Sequence, residues 1–238
     1  MAVTAGTASA TLAAARVRIT EVFFSIQGES TRVGLPTVFV RLTGCPLRCT
    51  YCDTAYAFTG GTTLTVAEVL GRVEQLAPPG TCVCVTGGEP LAQRGALALL
   101  SALCDRGFRV SLETSGAIDV AAVDPRVMKV VDLKTPGSGE QSRNLYANLD
   151  RLGPQDQVKF VILDRTDYEW SRAQVLERGI AARCEVLFSP SMRAPGAPVP
   201  GAGGLAPASL AEWILADRLP VRLQIQLHKV MWGDEPGR

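Results

Sequence analysis

Along the chain, short continuous apolar runs alternate with longer stretches in which apolar residues recur every three or four positions. Residues 17–24 (VRITEVFF) and 37–42 (TVFVRL), rich in β-branched and aromatic side chains, predict strands. Residues 65–76 predict a helix, with Thr65 as N-cap and Glu68 three positions on in capping-box spacing. Residues 82–86 (CVCVT) predict a buried strand, and 91–106 a helix stopped by Gly107. The pattern continues with strands at 109–113 and 127–133, a helix at 141–152, a strand at 157–163 and a helix at 167–179. A strand at 184–188, a helix at 209–216 and a strand at 222–227 complete it. Apolar strands separated by amphipathic helices imply an α/β fold, a parallel sheet with helices packed outside it. Ligand-binding groups in such sheets gather at the C-terminal strand ends and the loops that follow.

Two segments break the pattern. Residues 1–16 are small and nearly uncharged, without the early basic residues or Leu-rich run of a secretory signal, and read as a flexible N-terminal tail. Residues 192–207 hold four prolines and four glycines and read as an irregular loop. The remainder, 17–238, is expected to form one domain. It is shorter than the ~250 residues of a complete eight-unit barrel, so a barrel, if formed, is incomplete.

Composition narrows the function. With 24 basic and 23 acidic residues the net charge is +1, which argues against an electrostatic nucleic-acid binder, although a local basic groove stays open. No apolar run reaches eighteen residues, so no spanning helix and no membrane partner are expected. Without an export signal the expected location is cytoplasmic, where seven cysteines are reduced thiols or metal ligands rather than disulfides.

The sharpest chemical signal is CPLRCTYC at 45–52, which places Cys45, Cys49 and Cys52 in the loop after a predicted strand. Structural zinc and electron-carrier iron–sulfur sites ordinarily take four protein ligands. Three ligands on a four-iron cluster leave one iron open for a small molecule. The alternative is a structural metal loop with a distant fourth ligand among Cys82, Cys84, Cys104 and Cys184, which otherwise read as core thiols. Further polar groups punctuate later strand ends: Thr86-Gly87-Gly88-Glu89-Pro90, Glu113-Thr114-Ser115-Gly116, Asp132-Leu133-Lys134 and Ser189-Pro190. A purely structural sheet does not need them.

The triad, with Tyr51 just before its third cysteine, resembles the radical S-adenosylmethionine (SAM) superfamily. That resemblance implies a partial, TIM-like βα barrel with a [4Fe–4S] cluster held by Cys45, Cys49 and Cys52. SAM would chelate the open iron through its amine and carboxylate, and reduction would cleave it to a 5′-deoxyadenosyl radical. TGGEP looks like the motif that holds the SAM amine, which implicates Gly87, Gly88 and Glu89. Tyr51, Cys52, Asp53, Glu113, Gly116, Asp132, Leu133, Lys134 and Ser189 are the other implied SAM contacts.

Beyond the triad, SIQGE at 25–29, RLTGC at 41–45, CDT at 52–54 and LQIQLHK at 223–229 together resemble the 7-carboxy-7-deazaguanine synthase family, from about Val17 to about Gly233. The resemblance implies ring contraction of 6-carboxy-5,6,7,8-tetrahydropterin to 7-carboxy-7-deazaguanine, with hydrogen removed from C6 and later returned to regenerate SAM, and with loss of ammonia. It places Ile26, Gln27, Gly28, Glu29, Arg41, Thr114 and His228 at the pterin, and Mg²⁺ on Thr54. It also implies a flavodoxin or ferredoxin electron donor, a homodimer and a place in queuosine or other 7-deazapurine biosynthesis. Two other readings share the triad: a glycyl-radical enzyme activase, and a non-catalytic iron–sulfur or zinc module.

Overall fold

The computed structural model describes residues 15–192, 204–233, 235, 237 and 238. In chain order the elements are β1 (Arg16–Ile26), β2 (Pro36–Leu42), β3 (Thr62–Thr65), α1 (Val66–Leu76), β4 (Cys82–Gly87) and α2 (Gly95–Asp105). There follow β5 (Arg109–Thr114), β6 (Met128–Asp132), β7 (Gln157–Ile162), α3 (Arg165–Glu177), β8 (Glu185–Pro190), α4 (Pro207–Asp217), β9 (Arg222–Leu223) and α5 (Leu227–Trp232). Among the described residues nine strands join one sheet in the order β3-β1-β2-β4-β5-β6-β7-β8-β9. From β2 to β9 every pairing is parallel. β1 runs antiparallel to both β2 and β3. The 27–35 connection is too short to carry a crossover helix, so β1 can only turn back on β2.

The predicted capping box of α1 forms: the Thr65 hydroxyl accepts the Glu68 N–H, and the Glu68 carboxylate accepts the Thr65 N–H. Helices α1 and α2 bury Val69, Val73, Leu99 and Leu103 against β1, β2, β4 and β5. A second core under α3 and α4 gathers Phe160, Tyr168, Phe188, Leu210 and Ile214. Each fully buried large side chain contributes about 1.5–3 kcal/mol. Between β5 and β6 no α-helix covers the sheet, and Val120, Val123 and Val127 fill the core in its place.

The sheet's edges, β3 and β9, do not pair with each other. It is curved all the same. β1 and β7 stand five strands apart, about 24 Å in a flat sheet at ~4.8 Å per strand. Yet Glu29, just beyond β1, touches Lys159 of β7 at 2.7 Å. The 27–35 segment crosses the concave side. Arg32 donates to the Arg109 carbonyl, the Thr31 N–H to Gln157 Oε1, and Gln224 Nε2 to the Ser30 carbonyl. The Leu227 N–H donates to the Gly28 carbonyl at 3.0 Å. The result is a partial barrel.

Several elements depart from the periodicity. Residues 141–152 form two 3₁₀ turns, Gln141–Arg143 and Tyr146–Arg151, instead of an α-helix. Asn144 exchanges hydrogen bonds with the Lys134 N–H and carbonyl. Buried Asn148 accepts from the Val120 N–H and donates to the Gly116 and Ile118 carbonyls. These anchors hold the backbone against the strand ends and override the helical pattern. The predicted final strand shrinks to Arg222–Leu223, because the Gln224 N–H caps the Phe188 carbonyl and the chain turns into α5. α3 begins two residues early on the Asp164 cap. Pro90–Ala92 is a separate 3₁₀ turn before α2, and β3 was not predicted. Of the expected tail, Arg16 belongs to β1 and Ala15 accepts the Val66 N–H, while 1–14 lie outside the described residues. Of the expected loop, Pro207 opens α4 and 193–203 lie outside the described residues.

Replacing Asn148 with Ala removes three hydrogen bonds and strands the buried Val120 N–H. We expect a loss of about 2–3 kcal/mol in urea unfolding; a change below about 0.5 kcal/mol would place the anchor elsewhere.

Candidate active site

The cysteine loop is held from two sides. On one, the end of β4 lies flush against its start: the Gly88 N–H donates to the Leu42 carbonyl at 3.0 Å and the Glu89 N–H to the Gly44 carbonyl at 2.8 Å. A Cβ on Gly88 would stand 2.1 Å from the Gly44 oxygen, so only glycine permits this contact. On the other, Thr50 donates through its hydroxyl to the Gly137 carbonyl and through its N–H to the Ser138 carbonyl. The Arg48 N–H donates to the Glu140 carboxylate. That turn is shaped by buried Asp167 of α3, which accepts from the Gly137 N–H (2.7 Å), the Thr135 hydroxyl (3.0 Å) and the Leu163 N–H (3.1 Å).

Cys45, Cys49 and Cys52 line a cavity of about 240 Å³ at the C-terminal strand ends. Burial pushes all three thiols up, Cys49 to about 11. Metal ligation needs thiolates, so loading the loop releases protons. Cys82, Cys84, Cys104 and Cys184 lie outside the cavity, which removes the distant-fourth-cysteine alternative. Among the described residues no three His, Cys, Asp or Glu side chains converge as ligands of one ion. A donor set of three thiols suits a four-iron cluster with one open iron better than a closed zinc site.

Beside the loop, charged side chains form a buried network, with Gln226 donating to Asp53 and Lys134 over the Tyr51 ring. Lys159 donates to Glu29 Oε2 at 2.7 Å and stands 3.6 Å from Asp132 Oδ2, which also pairs with Lys134 at 3.0 Å. Gln226 donates to Glu29 Oε1. Burial alone would raise the Glu29 carboxyl, but Lys159, His228 and Gln226 outweigh it and hold the group at about 2, below its ordinary 4.5. Glu113 accepts from the Thr86 hydroxyl and is pushed up by burial and by Glu29. Two buried polar atoms at the cavity, the Tyr51 hydroxyl and Asp132 Oδ1, have no protein partner. They are the positions that a polar ligand such as SAM would satisfy.

On the remaining wall, Arg41 of β2 donates to Glu21 at 2.6 Å, between the rings of Phe23 and Tyr56. The Tyr56 hydroxyl donates to the same Glu21 oxygen. Asp53 pairs with Lys229 at 2.9 Å and accepts from the Thr54 hydroxyl. That donation leaves the Thr54 oxygen lone pairs for a hard cation. His228, the second residue of α5, lies directly against Gly28, where a Cβ would meet His228 Nδ1 at 2.1 Å.

The cavity thus gathers Ile26, Gln27, Gly28, Glu29, Arg41, Tyr51, Asp53, Thr54, Gly87, Gly88, Glu113, Thr114, Asp132, Lys134 and His228 with the three cysteines. Four expected contacts do not line it: Glu89, Gly116, Leu133 and Ser189. Glu89 is fully buried, its carboxylate saturated by the Leu91 N–H, the Thr114 hydroxyl and the N–H and hydroxyl of Ser115. It therefore braces the β4 and β5 ends rather than receiving an ammonium. Leu133 belongs to the second core, Ser189 is buried in β8, and Gly116 turns away behind Val131 and Asp132. Sequence reading missed Lys159, Gln226, Lys229 and Tyr56. A lone lysine inside the apolar QVKFVI strand was the available signal for the first. Gly233, Glu235, Gly237 and Arg238 also line the cavity.

Two outcomes follow. Asp167→Ala should leave a folded protein that loses reconstituted iron to a chelator several-fold faster, about 1–3 kcal/mol of loop support being removed; unchanged release would detach the turn from the loop. Glu29 stabilises the fold fully above its ordinary 4.5, and the contribution fades as pH falls toward about 2. The gap in urea midpoint between the unsubstituted protein and Glu29→Gln should therefore narrow from about pH 6 to about pH 3, and a constant gap would contradict the ionised pair.

Residues 39–131 match the radical SAM superfamily. A 7-carboxy-7-deazaguanine synthase of Chlorobaculum tepidum is 46% identical over 224 residues, covering 93% of this chain and 96% of the relative. That of Koribacter versatilis is 43% identical, covering 92% and 98%. Among solved structures, QueE from Escherichia coli superposes with a TM-score of 0.66 at 23% identity, over 90% of this chain and 95% of that one, a likeness of fold. By length, identity and the radical SAM core that it shares with them, the chain belongs to the 7-carboxy-7-deazaguanine synthase family.

Proposed function

We infer that the chain catalyses the radical ring contraction of 6-carboxy-5,6,7,8-tetrahydropterin to 7-carboxy-7-deazaguanine. The observation that carries this reading is the opening of two sets of groups into one cavity. The cysteine loop with Gly87 and Gly88 lines it, and so do Gln27, Glu29, Arg41 and His228. Cys45, Cys49 and Cys52 would hold the cluster, which with SAM would supply the radical chemistry that starts the reaction.

The protein's own groups do the rest. Tyr51 and Asp132, each with an unpartnered buried oxygen, and Lys134 suit the polar parts of SAM. Glu29, ionised by its partners, accepts from the donor edge of the pterin, while Gln27 and Thr114 offer further contacts. Arg41, fixed by Glu21, supplies positive charge for the substrate carboxylate. We assign Mg²⁺ to Thr54, whose oxygen lies beside Asp53 at the cavity. A flavodoxin or ferredoxin donor, assembly as a homodimer and action in the cytoplasm belong to the same reading. Among the described residues no helix is long and apolar enough to cross a membrane.

The test is anaerobic reconstitution followed by incubation with SAM, reductant, Mg²⁺ and the pterin. A new deazapurine chromophore is expected; none, with the cluster intact, would refute the assignment. Thr54→Ala should retain the cluster yet lose most of the Mg²⁺ stimulation, and undiminished stimulation would free Thr54 of that role.

A further inference from the structure

Lys159 is the least expected residue of the cavity. Its strand neighbours Val158, Phe160 and Ile162 are fully buried apolar side chains, and its own residue is only 9% exposed. Taking an ammonium out of water costs several kcal/mol, and a well-packed apolar residue in the place of a buried ion pair is often neutral or stabilising. Stability alone therefore does not account for a lysine here. Its partners do. Glu29 arrives from the 27–35 segment and Asp132 from the end of β6, and the one ammonium lies between them, 2.7 Å from Glu29 Oε2 and 3.6 Å from Asp132 Oδ2. Each carboxylate is fixed a second time, Glu29 by Gln226 at 2.8 Å and Asp132 by Lys134 at 3.0 Å. The chain Gln226–Glu29–Lys159–Asp132–Lys134 thus runs across the cavity from α5's approach to β6, and Asp132 Oδ1 is left buried without a partner.

We propose that Lys159 is a positioning residue that sets the separation between the pterin, read by Glu29, and SAM, contacted on the Asp132 side. The proposal rests on the functional reading above. Without the ammonium the two carboxylates repel, Glu29 keeps only the neutral Gln226 donor, and the pterin ring is free to shift against SAM. An error near 1 Å at the reacting atoms costs rate steeply, up to about a hundredfold. Glu29 would bear most of the loss, because Asp132 keeps Lys134.

The test compares Lys159→Met and Lys159→Arg with the unsubstituted, cluster-loaded protein. Equilibrium dialysis without reductant reads pterin and SAM affinity apart from turnover. Turnover then reads the 5′-deoxyadenosine released per 7-carboxy-7-deazaguanine formed. Lys159→Met should bind the pterin about tenfold more weakly, the worth of one charge-assisted hydrogen bond. SAM affinity should hold within about threefold. Deoxyadenosine per product should rise about tenfold as radicals miss their target. Lys159→Arg should recover part of both losses. If Lys159→Met fails to fold, Lys159→Gln carries the same comparison. A folded variant with unchanged pterin affinity and unchanged ratio, lowered only in its unfolding midpoint, overturns the proposal and leaves Lys159 a structural residue. No product from the unsubstituted protein overturns the functional reading instead, and the proposal with it.

Discussion

The sheet never closes on itself, so its curvature depends on what lies across its hollow side. That strut is the segment after β1, held across the hollow by Arg32 on the Arg109 carbonyl, Thr31 on Gln157 and Gln224 on the Ser30 carbonyl, with Glu29 reaching Lys159. A flat parallel sheet would leave Glu29 and Lys159 about 24 Å apart, so their contact at 2.7 Å records how far the sheet bends. The curved arrangement is the one that pairs them. The same segment carries Gln27, Gly28 and Glu29 into the cavity and seats His228, because Gly28 has no side chain to hold α5 away. Bracing the open sheet and lining the cavity are thus done by the same few residues.

A second constraint governs the cysteine loop. Three thiols hold a cluster at lower cost when the loop between them already has its shape. Here that shape is imposed by backbone contacts on one side, from Gly88 to Leu42 and Glu89 to Gly44, and by the Asp167-built turn on the other. The acidic residue of TGGEP joins the ends of β4 and β5 through Thr114 and Ser115. The motif at the end of β4 therefore serves the site largely by building it. The glycines reach the cavity and the carboxylate stays behind them.

Much of this was legible in the sequence because it depends on local rules. The capping box at Thr65 and Glu68, the apolar strand at Cys82 and the three thiols at 45–52 each follow from neighbours in the chain. What the sequence hid depends on distant partners. The 141–152 stretch has helical periodicity, but Asn144 and Asn148 bind backbone from other loops, and those contacts outweigh propensity. Glu89 looks like an open acceptor until Ser115, 26 positions away, fills it. Lys159 reads as one charge in an apolar strand, and its meaning comes from Glu29, 130 positions away. His228 was expected beyond a strand and stands instead on a short helix, held by the carbonyl of Gly28.

If one cavity holds the pterin and SAM together, hydrogen passes directly between them. This transfer is tested most directly by supplying 6-carboxytetrahydropterin deuterated at C6 and weighing the SAM recovered after turnover. Deuterium in the recovered SAM, rising with product, is the expected result. Product formed while SAM stays unlabelled would contradict the account, since hydrogen would then have left the pterin by another route.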